Sequence, residues 1–261
     1  MEDTYTELSF AIVTYNNGSK IIETVHSLIE AVPEGLSYRV YIIDNGSTDN
    51  TVESVKKLNN GNIKMVISDK NAGFGYGHNF ILDKINSKYH MVVNPDITIK
   101  DNKQLRTMIN YFDANEDVGM VVPNLLNDDG TTQYLLKNNP TVLDIMARFL
   151  GDNFLVKRQA RFVNMQTNYD TIINVQYASG SFMAFDTKTF LKIGGFDPIF
   201  FMYFEDADIT RRVNQVSKAI FLPCMQVNHS WSRAGHKKIK YMIITVKSMI
   251  KYFNKWGWKL L

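Results

Sequence analysis

The feature that most constrains this chain is an alternation of strand-length apolar runs with helix-period segments. Leu8–Thr14 is an apolar run of strand length, punctuated by Asn16-Asn17-Gly18. Ile21, Ile22, Val25, Leu28 and Ile29 then recur at helical spacing, with Pro33 and Gly35 as stop signals. Tyr38–Asp44 predicts a second strand, ended by Asn45-Gly46, and a helix capped by Asp49 or Thr51 follows to about Leu58. Lys64–Ser68, Gly77–Asn86 and His90–Asn94 predict a third strand, a helix and a fourth strand. Such alternation implies an α/β fold, a mostly parallel central sheet flanked by helices on both faces.

Ligands of these sheets bind outside the carboxyl ends of the strands. Thr14-Tyr15, Asp44-Asn45 and Asn94-Pro95-Asp96 each lie at a predicted strand end, so three polar clusters should converge on one crevice. Beyond Pro123 the pattern loosens. Residues 131–175 carry no clear period, and Val175–Phe185 predicts a strand around Ser179-Gly180-Ser181. Gly194-Gly195 is a break, Asp206–Val213 predicts a helix and Ala219–Leu222 a strand. No repeat or linker interrupts the chain, which reads as one domain (1–235) and a tail (236–261).

Composition narrows the class. With 45% hydrophobic and 21% charged residues, disorder is excluded. A single cysteine, Cys224, leaves no internal disulfide and no Cys-rich zinc site. The net charge of +3 conceals an asymmetry: the tail holds seven lysines and no acid, against 22 basic and 26 acidic residues elsewhere. An acidic body argues against nucleic acid as a partner. The acidic start MEDTYTE lacks the pattern of a signal peptide, and no run approaches the roughly 18 apolar residues of a membrane span. The expected location is the cytoplasm, peripheral on the inner face of the cell membrane.

Several segments carry chemistry. Asp44 at a strand end could accept hydrogen bonds from a base or ribose, or simply form a turn. Gly73, Gly75 and Gly77 would let backbone approach a ligand, or form a structural loop; they lack the GxGxxG spacing, which counts against a dinucleotide oxidoreductase. Asn94-Pro95-Asp96 could hold Mg²⁺ or Mn²⁺ beside phosphates, or be a plain proline turn. Glu205-Asp206-Ala207-Asp208 sits among Phe200, Phe201, Tyr203 and Phe204. Desolvation there would raise a carboxylate pKa and suit a general base, although a helix cap reads equally well.

In order along the chain, AIVTYNN (11–17), YIIDNGSTDNT (41–51), NAGFGYGHN (71–79), VVNPDI (92–97), ASGSFMAF (178–185), GGFDPIFFMYFEDADITRR (194–212) and His229 resemble the family 2 inverting glycosyltransferases of GT-A fold. The resemblance spans about residues 8–232. Within the family it is similar to the rhamnosyltransferase-type branch of bacterial polysaccharide synthesis, which implies dTDP-L-rhamnose as donor and a glycan or lipid-linked acceptor. It implies that Thr14, Tyr15 and Asp44 border the nucleoside and that Asn71 and Gly73 shape the nucleotide pocket. Asp96 would close the DxD metal motif, with His229 as a further metal ligand. Asn94 stands where that motif has its first aspartate and weakens it. Asp206 would be the catalytic base, and Glu205 would bind the acceptor.

On a helical wheel Ile239, Met242, Ile243, Val246, Met249, Ile250, Phe253 and Trp256 share one arc of the tail, opposite Lys240, Lys247, Lys251 and Lys255. That composition predicts an interfacial helix on a membrane surface, or a helix packed on the domain or in a homodimer. Two other functions stay open: a sugar-nucleotide-binding module without transfer, and a transferase of UDP-sugars.

Overall fold

The computed structural model describes residues 4–18, 20–151, 153–167, 169–230 and 239–261. His236, Lys237 and Lys238 of the tail, and the boundary drawn at 235/236, lie outside them.

The first half is built as the sequence pattern demands. β1 (Thr6–Thr14), β2 (Tyr38–Asp44), β3 (Ile63–Ile67) and β4 (Ser87–Val93) alternate with α1 (Lys20–Ala31), α2 (Thr51–Lys56) and α3 (Phe74–Asn79). All four strands are parallel, in the order β3-β2-β1-β4. The second half contributes β5 (Ile97–Thr98), α4 (Asn102–Ala114), β6 (Val118–Leu126), α5 (Val142–Leu150), α6 (Val156–Phe162), β7 (Ile173–Asn174), β8 (Phe182–Asp186), α7 (Thr187–Lys192), α8 (Glu205–Val216), β9 (Lys218–His229) and α9 (Ile239–Trp256). Here β8 runs antiparallel between β4 and β6, and β6 pairs β9 in parallel. The expected strand over 175–185 survives only from Phe182, because the Ser-Gly-Ser segment turns instead of pairing. The helix expected over 77–86 starts earlier, at Phe74, and ends at Asn79.

Alternate residues of each strand feed opposite layers. Phe10, Ile12, Val40 and Ile42 pack with Ile21, Val25 and Leu28 of α1 and with Leu105 and Met108 of α4. Ala11, Val13, Tyr41 and Ile43 pack on the other face with Phe190 of α7 and with Ile209 and Val213 of α8. With both faces covered, β1 is buried almost throughout, as a central parallel strand should be. Truncating a buried side chain such as Phe10 to alanine typically costs about 3–5 kcal/mol. A third, smaller cluster joins Ile145 of α5, Phe162 of α6, Phe200, Phe204, Ala207 of α8, and Tyr252 and Phe253 of α9.

The tail helix is therefore docked over its C-terminal half. Asp208 of α8, fully buried, receives Trp256 Nε1–H at 2.8 Å, Lys255 Nζ at 2.7 Å and Arg212 Nε at 2.8 Å. Arg211 stacks on the Trp256 ring at 4.3 Å, and Ser248 Oγ donates to Met202 O at 2.8 Å. The apolar arc read from the wheel is split by this docking. Phe253 is buried against the domain, whereas Ile239, Met242, Ile243, Val246 and Ile250 are exposed. Among the described residues no helix is long and apolar enough to cross a membrane.

Candidate active site

The ends of β1, β2 and β4 lie side by side. Thr14 and Asp44 are direct partners in the ladder, and Ile12 pairs with Val93, one residue before Asn94. Thr14 is buried and donates to Asn17 Oδ1 at 2.8 Å; Tyr15 beside it is exposed. Asp44 Oδ2 accepts the N–H groups of Gly46 (3.1 Å) and Ser47 (2.9 Å), and Gly46 takes the positive φ of +79° that the turn needs. Asp44 Oδ1 is buried yet accepts no hydrogen bond from a described residue. Leaving a buried acceptor unmade costs about 1–3 kcal/mol, so this oxygen is suited to a donor group on a ligand.

The glycine loop packs against protein rather than presenting an open cradle. A Cβ on Gly73 would fall 2.2 Å from Phe201 O, on Gly75 2.7 Å from Phe196 Cβ, and on Gly77 2.8 Å from Val13 Cγ1. The glycines thus let α3 press on β1 and on the segment ahead of α8. Phe74 N–H donates to Phe201 O at 3.0 Å, and Asn45 Nδ2 donates to Gly73 O at 3.0 Å. Asn71, exposed, holds the loop by accepting Gly73 N–H at 3.1 Å.

Asp96 and His229 meet. Asp96 Oδ1 lies 3.4 Å from Nε2 of His229, which β9 carries in from the far end of the sheet. Gln133 fixes the ring: its Nε2 donates to Asn127 Oδ1 and His229 O, so its Oε1 faces His229 Nδ1 at 2.8 Å. Nε2 is then the ring atom that faces the Asp96 carboxylate oxygen. An imidazole nitrogen and a carboxylate oxygen so placed are both of the type that holds a divalent cation. Among the described residues no third His, Cys, Asp or Glu completes a metal group. A Mg²⁺ or Mn²⁺ held by Asp96 and His229 would take its other ligands from water and phosphate.

The Ser-Gly-Ser turn links this side to the acids. Asn94 N–H donates to Ser181 O at 2.9 Å, and Gly180 N–H is hydrogen-bonded to Asp206. The Phe74 ring also reaches Gly180, whose Cβ position lies 3.4 Å from Phe74 Cε1 and 3.5 Å from Asp206 Cβ. Strand end, glycine loop and acidic helix start therefore meet around one glycine. Tyr203 (φ +69°) and Phe204 (φ +66°) both occupy the left-handed region just before Glu205, a costly backbone that over-determined surroundings hold in place.

The acids at the start of α8 differ in environment. Glu205 is buried, its Oε2 accepts nothing from a described residue, and burial, reinforced by the Asp206 charge, pushes its pKa well up. Burial also raises Asp206, but Lys137, the N–H groups of Ala207 and Gly180 and the Tyr177 hydroxyl oppose the rise. Lys137 lies with Nζ 4.3 Å from the Tyr177 ring centroid, and its own pKa is pulled down by burial to about 8. Asp208, two residues on, faces α9 instead. Sequence reasoning missed Lys137 and Tyr177, which a backbone bridge joins (Lys137 N–H to Tyr177 O, 2.8 Å).

The model of the family described as glycosyl transferase family 2 matches residues 9–194. The chain belongs to that family. It is 26% identical over 213 residues to the low-salt glycan biosynthesis hexosyltransferase Agl10 of Haloferax volcanii, covering 80% of this chain and 62% of that protein. It is 26% identical over 168 residues to the rhamnosyltransferase WbbL of Escherichia coli K12, covering 60% of each. An N-acetylglucosaminyl-diphospho-decaprenol L-rhamnosyltransferase of Mycobacterium tuberculosis is 23% identical over 235 residues, covering 85% and 75%. The chain thus spans about three fifths of the length of the first two relatives. Among solved structures, GalNAc-T7 with UDP, GalNAc and Mn²⁺ superposes with TM-score 0.70 at 16% identity, covering 97% of this chain and 48% of that one. A Pyrobaculum calidifontis mannosyltransferase with GDP-Man and Mn²⁺ gives 0.64 at 15%, covering 97% and 64%. These likenesses establish the GT-A fold.

Proposed function

We propose that this chain is an inverting hexosyltransferase that moves a sugar from a nucleotide diphosphate to a hydroxyl of a glycan or lipid-linked acceptor. The meeting of donor-side strand ends and the Glu205–Asp206 pair around Gly180 carries the reading. L-Rhamnose from dTDP-L-rhamnose is the donor favoured by the names of two relatives. The acceptor belongs to cell-surface polysaccharide synthesis and is met at the inner face of the membrane, where α9 lies on the surface.

Thr14, Tyr15 and Asp44 border the nucleoside, and the orphaned Asp44 Oδ1 accepts from it. Asn71 and Gly73 shape the loop beside the nucleotide, and Asn94 and Asp96 face the diphosphate. Asp206, the acid whose neighbours favour the anion, takes the proton of the acceptor hydroxyl as its oxygen attacks the anomeric carbon. The bond from that carbon to the β-phosphate oxygen breaks on the opposite face, and its electron pair leaves with the diphosphate. Glu205 keeps its proton longer and hydrogen-bonds the acceptor. A divalent cation bound by Asp96 and His229 would supply Lewis-acid stabilisation of the leaving charge.

The test is a thermal-shift panel of dTDP-rhamnose, UDP-sugars and GDP-sugars with Mg²⁺ or Mn²⁺, followed by transfer of labelled donor. dTDP-rhamnose should give the largest shift, Asp96→Ala should lose it in metal, and the product should have the inverted anomer. A retained anomer would overturn the single displacement; full activity in EDTA would overturn the metal assignment. Asn94, where a carboxylate would bind a cation better, favours one second reading, a module that binds the donor without transferring it. Donor binding with neither transfer nor hydrolysis would establish that reading instead.

A further inference from the structure

Beside the third apolar cluster, whose own members are buried, the elements that build it carry exposed apolar side chains. From α5, Met146, Phe149 and Leu150 are exposed, and Phe154, Leu155 and Val156 follow at the start of α6, with Leu150 at 63% and Val156 at 57%. The C-terminus joins them. Val142 and Leu143 N–H donate to Lys259 and Leu260 O at 2.9 and 3.2 Å, which places exposed Leu260 and Leu261 at the start of α5. The outer arc of α9 adds Ile239, at 76% exposure, and Met242, Ile243, Val246 and Ile250. Bulky apolar groups in such density mark a contact surface rather than scatter.

The charge among them has one dominant sign. Arg148, Lys157, Arg158 and Arg161 lie on α5 and α6, where Asp144 is engaged by Arg158 at 2.7 Å. From Ile239 onward the chain has five lysines and no acid. All five are exposed; Lys251 and Lys255 bond Ile199 O and the carboxylates of Asp197 and Asp208, while Lys240, Lys247 and Lys259 carry no such acid partner among the described residues. A two-fold contact would set this basic surface against itself. An anionic bilayer complements both its charge and its apolar groups, at about 1 kcal/mol per basic residue near the surface.

We propose that the connection between α5 and α6, the outer arc of α9 and the C-terminal leucines form one docking surface for an anionic lipid bilayer. It rests on the membrane reading of α9 given above and adds the α5–α6 segment, which the tail alone does not supply. Because Phe204 and Ala207 belong to the same cluster, docking would bring the start of α8, with Glu205 and Asp206, close to the lipid surface. The acceptor class that fits is then one anchored in that surface.

The test is flotation of the full chain with phosphatidylcholine vesicles, with and without phosphatidylglycerol. Binding should require phosphatidylglycerol and weaken in high salt. The pair Phe149→Glu/Leu150→Glu and the pair Met242→Glu/Val246→Glu should each weaken it about tenfold or more. Melting points and donor binding should match the parent, which shows that the variants fold; Lys240→Gln/Lys247→Gln gives a milder variant, expected to lose salt sensitivity. Parent-like vesicle binding by the α5 pair would overturn the proposal. So would a parent that sediments as a dimer and becomes monomeric in these variants, since the surface would then be a protomer interface. Turnover on a soluble acceptor, measured without vesicles, reports on the transferase reading independently.

Discussion

The proposed donor and acceptor sides of the site are built in different ways. On the donor side Thr14, Asp44 and Asn71 are held by near neighbours in sequence, Thr14 by Asn17, Asp44 by Gly46 and Ser47, and Asn71 Oδ1 by Gly73 N–H, while Asn94 and Asp96 reach across the fold to Ser181 and His229. On the acceptor side the partners come from afar. Asp206 is set by Lys137, Tyr177 and Gly180, and Asp208 by Lys255 and Trp256. A strand followed by a tight turn can place a ligand-binding oxygen by local geometry alone. A proton acceptor with a tuned pKa needs charges and dry walls that local sequence does not carry. The acceptor side should therefore divide chemistry from architecture between residues that are adjacent in the helix.

The largest effect expected is that of Asp206→Asn. It keeps the shape and removes the proton acceptor, so kcat should fall by about 10² to 10⁴. Donor affinity, set on the other side, should stay within a few-fold in titration. Near-parental turnover would break the division of labour between the two sides. Asp208→Asn, two residues along, should do the reverse. It leaves Arg212 and Lys255 without their buried counter-charge, and one lost partner of a buried ion pair costs about 3–5 kcal/mol. Denaturant unfolding should show that loss, while kcat of the folded fraction changes little.

The same contrast explains what could be read from sequence. β2 was legible to the residue at Tyr38–Asp44, because an apolar run ended by Asn45-Gly46 permits little else. The adjacency of the polar strand ends Thr14, Asp44 and Asn94 followed from it. The glycine segment was read as a loop, but from Phe74 it is the helix α3, and its purpose was hidden, since what Gly73 and Gly77 avoid is Phe201 and Val13, far away in sequence. Residues 131–175 hid α5 and α6, although the capping box of Thr141 and Asp144 was a local signal that marks the start of α5. Lys137 had no such signal: nothing near Leu136 and Asn138 says that the fold lays it over Tyr177. The wheel of the tail gave the right helix and a mixed face, because Asp208 selects which side docks.

A smaller effect should come from Lys137→Met. The Lys137 charge lowers the Asp206 pKa, so its loss lets that pKa rise further. With Asp206 as the proposed base, turnover needs its anion, so the acidic limb of the kcat profile should move to higher pH. Parent Lys137 itself loses its charge as pH rises through about 8. The deficit of the variant should be largest on the acidic limb and should shrink at about pH 9, where both proteins lack the charge. An equal deficit at both would mean that Lys137 acts by packing on Tyr177.

The smallest effect, and the finest test of the two acids, is Glu205→Gln. In the folded protein the Glu205 pKa is raised, first by burial and then by the Asp206 charge. A raised acid makes the folded state hold a proton that the unfolded chain releases, so its penalty is absent below the ordinary value of 4.5. As pH climbs from there toward the folded value, stability falls, since the unfolded state then binds fewer protons. Glutamine is neutral at every pH and escapes that fall. The melting temperatures of parent and variant should nearly coincide at acid pH and separate in favour of the variant as pH rises. The gap should be about 2–4 °C for each kcal/mol for a chain of this size. Turnover should persist, with KM for the acceptor shifted a few-fold, because an amide still hydrogen-bonds a hydroxyl. If Glu205→Gln is inactive while Asp206→Asn turns over, the two acids have exchanged roles: the buried glutamate is the base, and the long-range partners of Asp206 serve to hold the helix start in place.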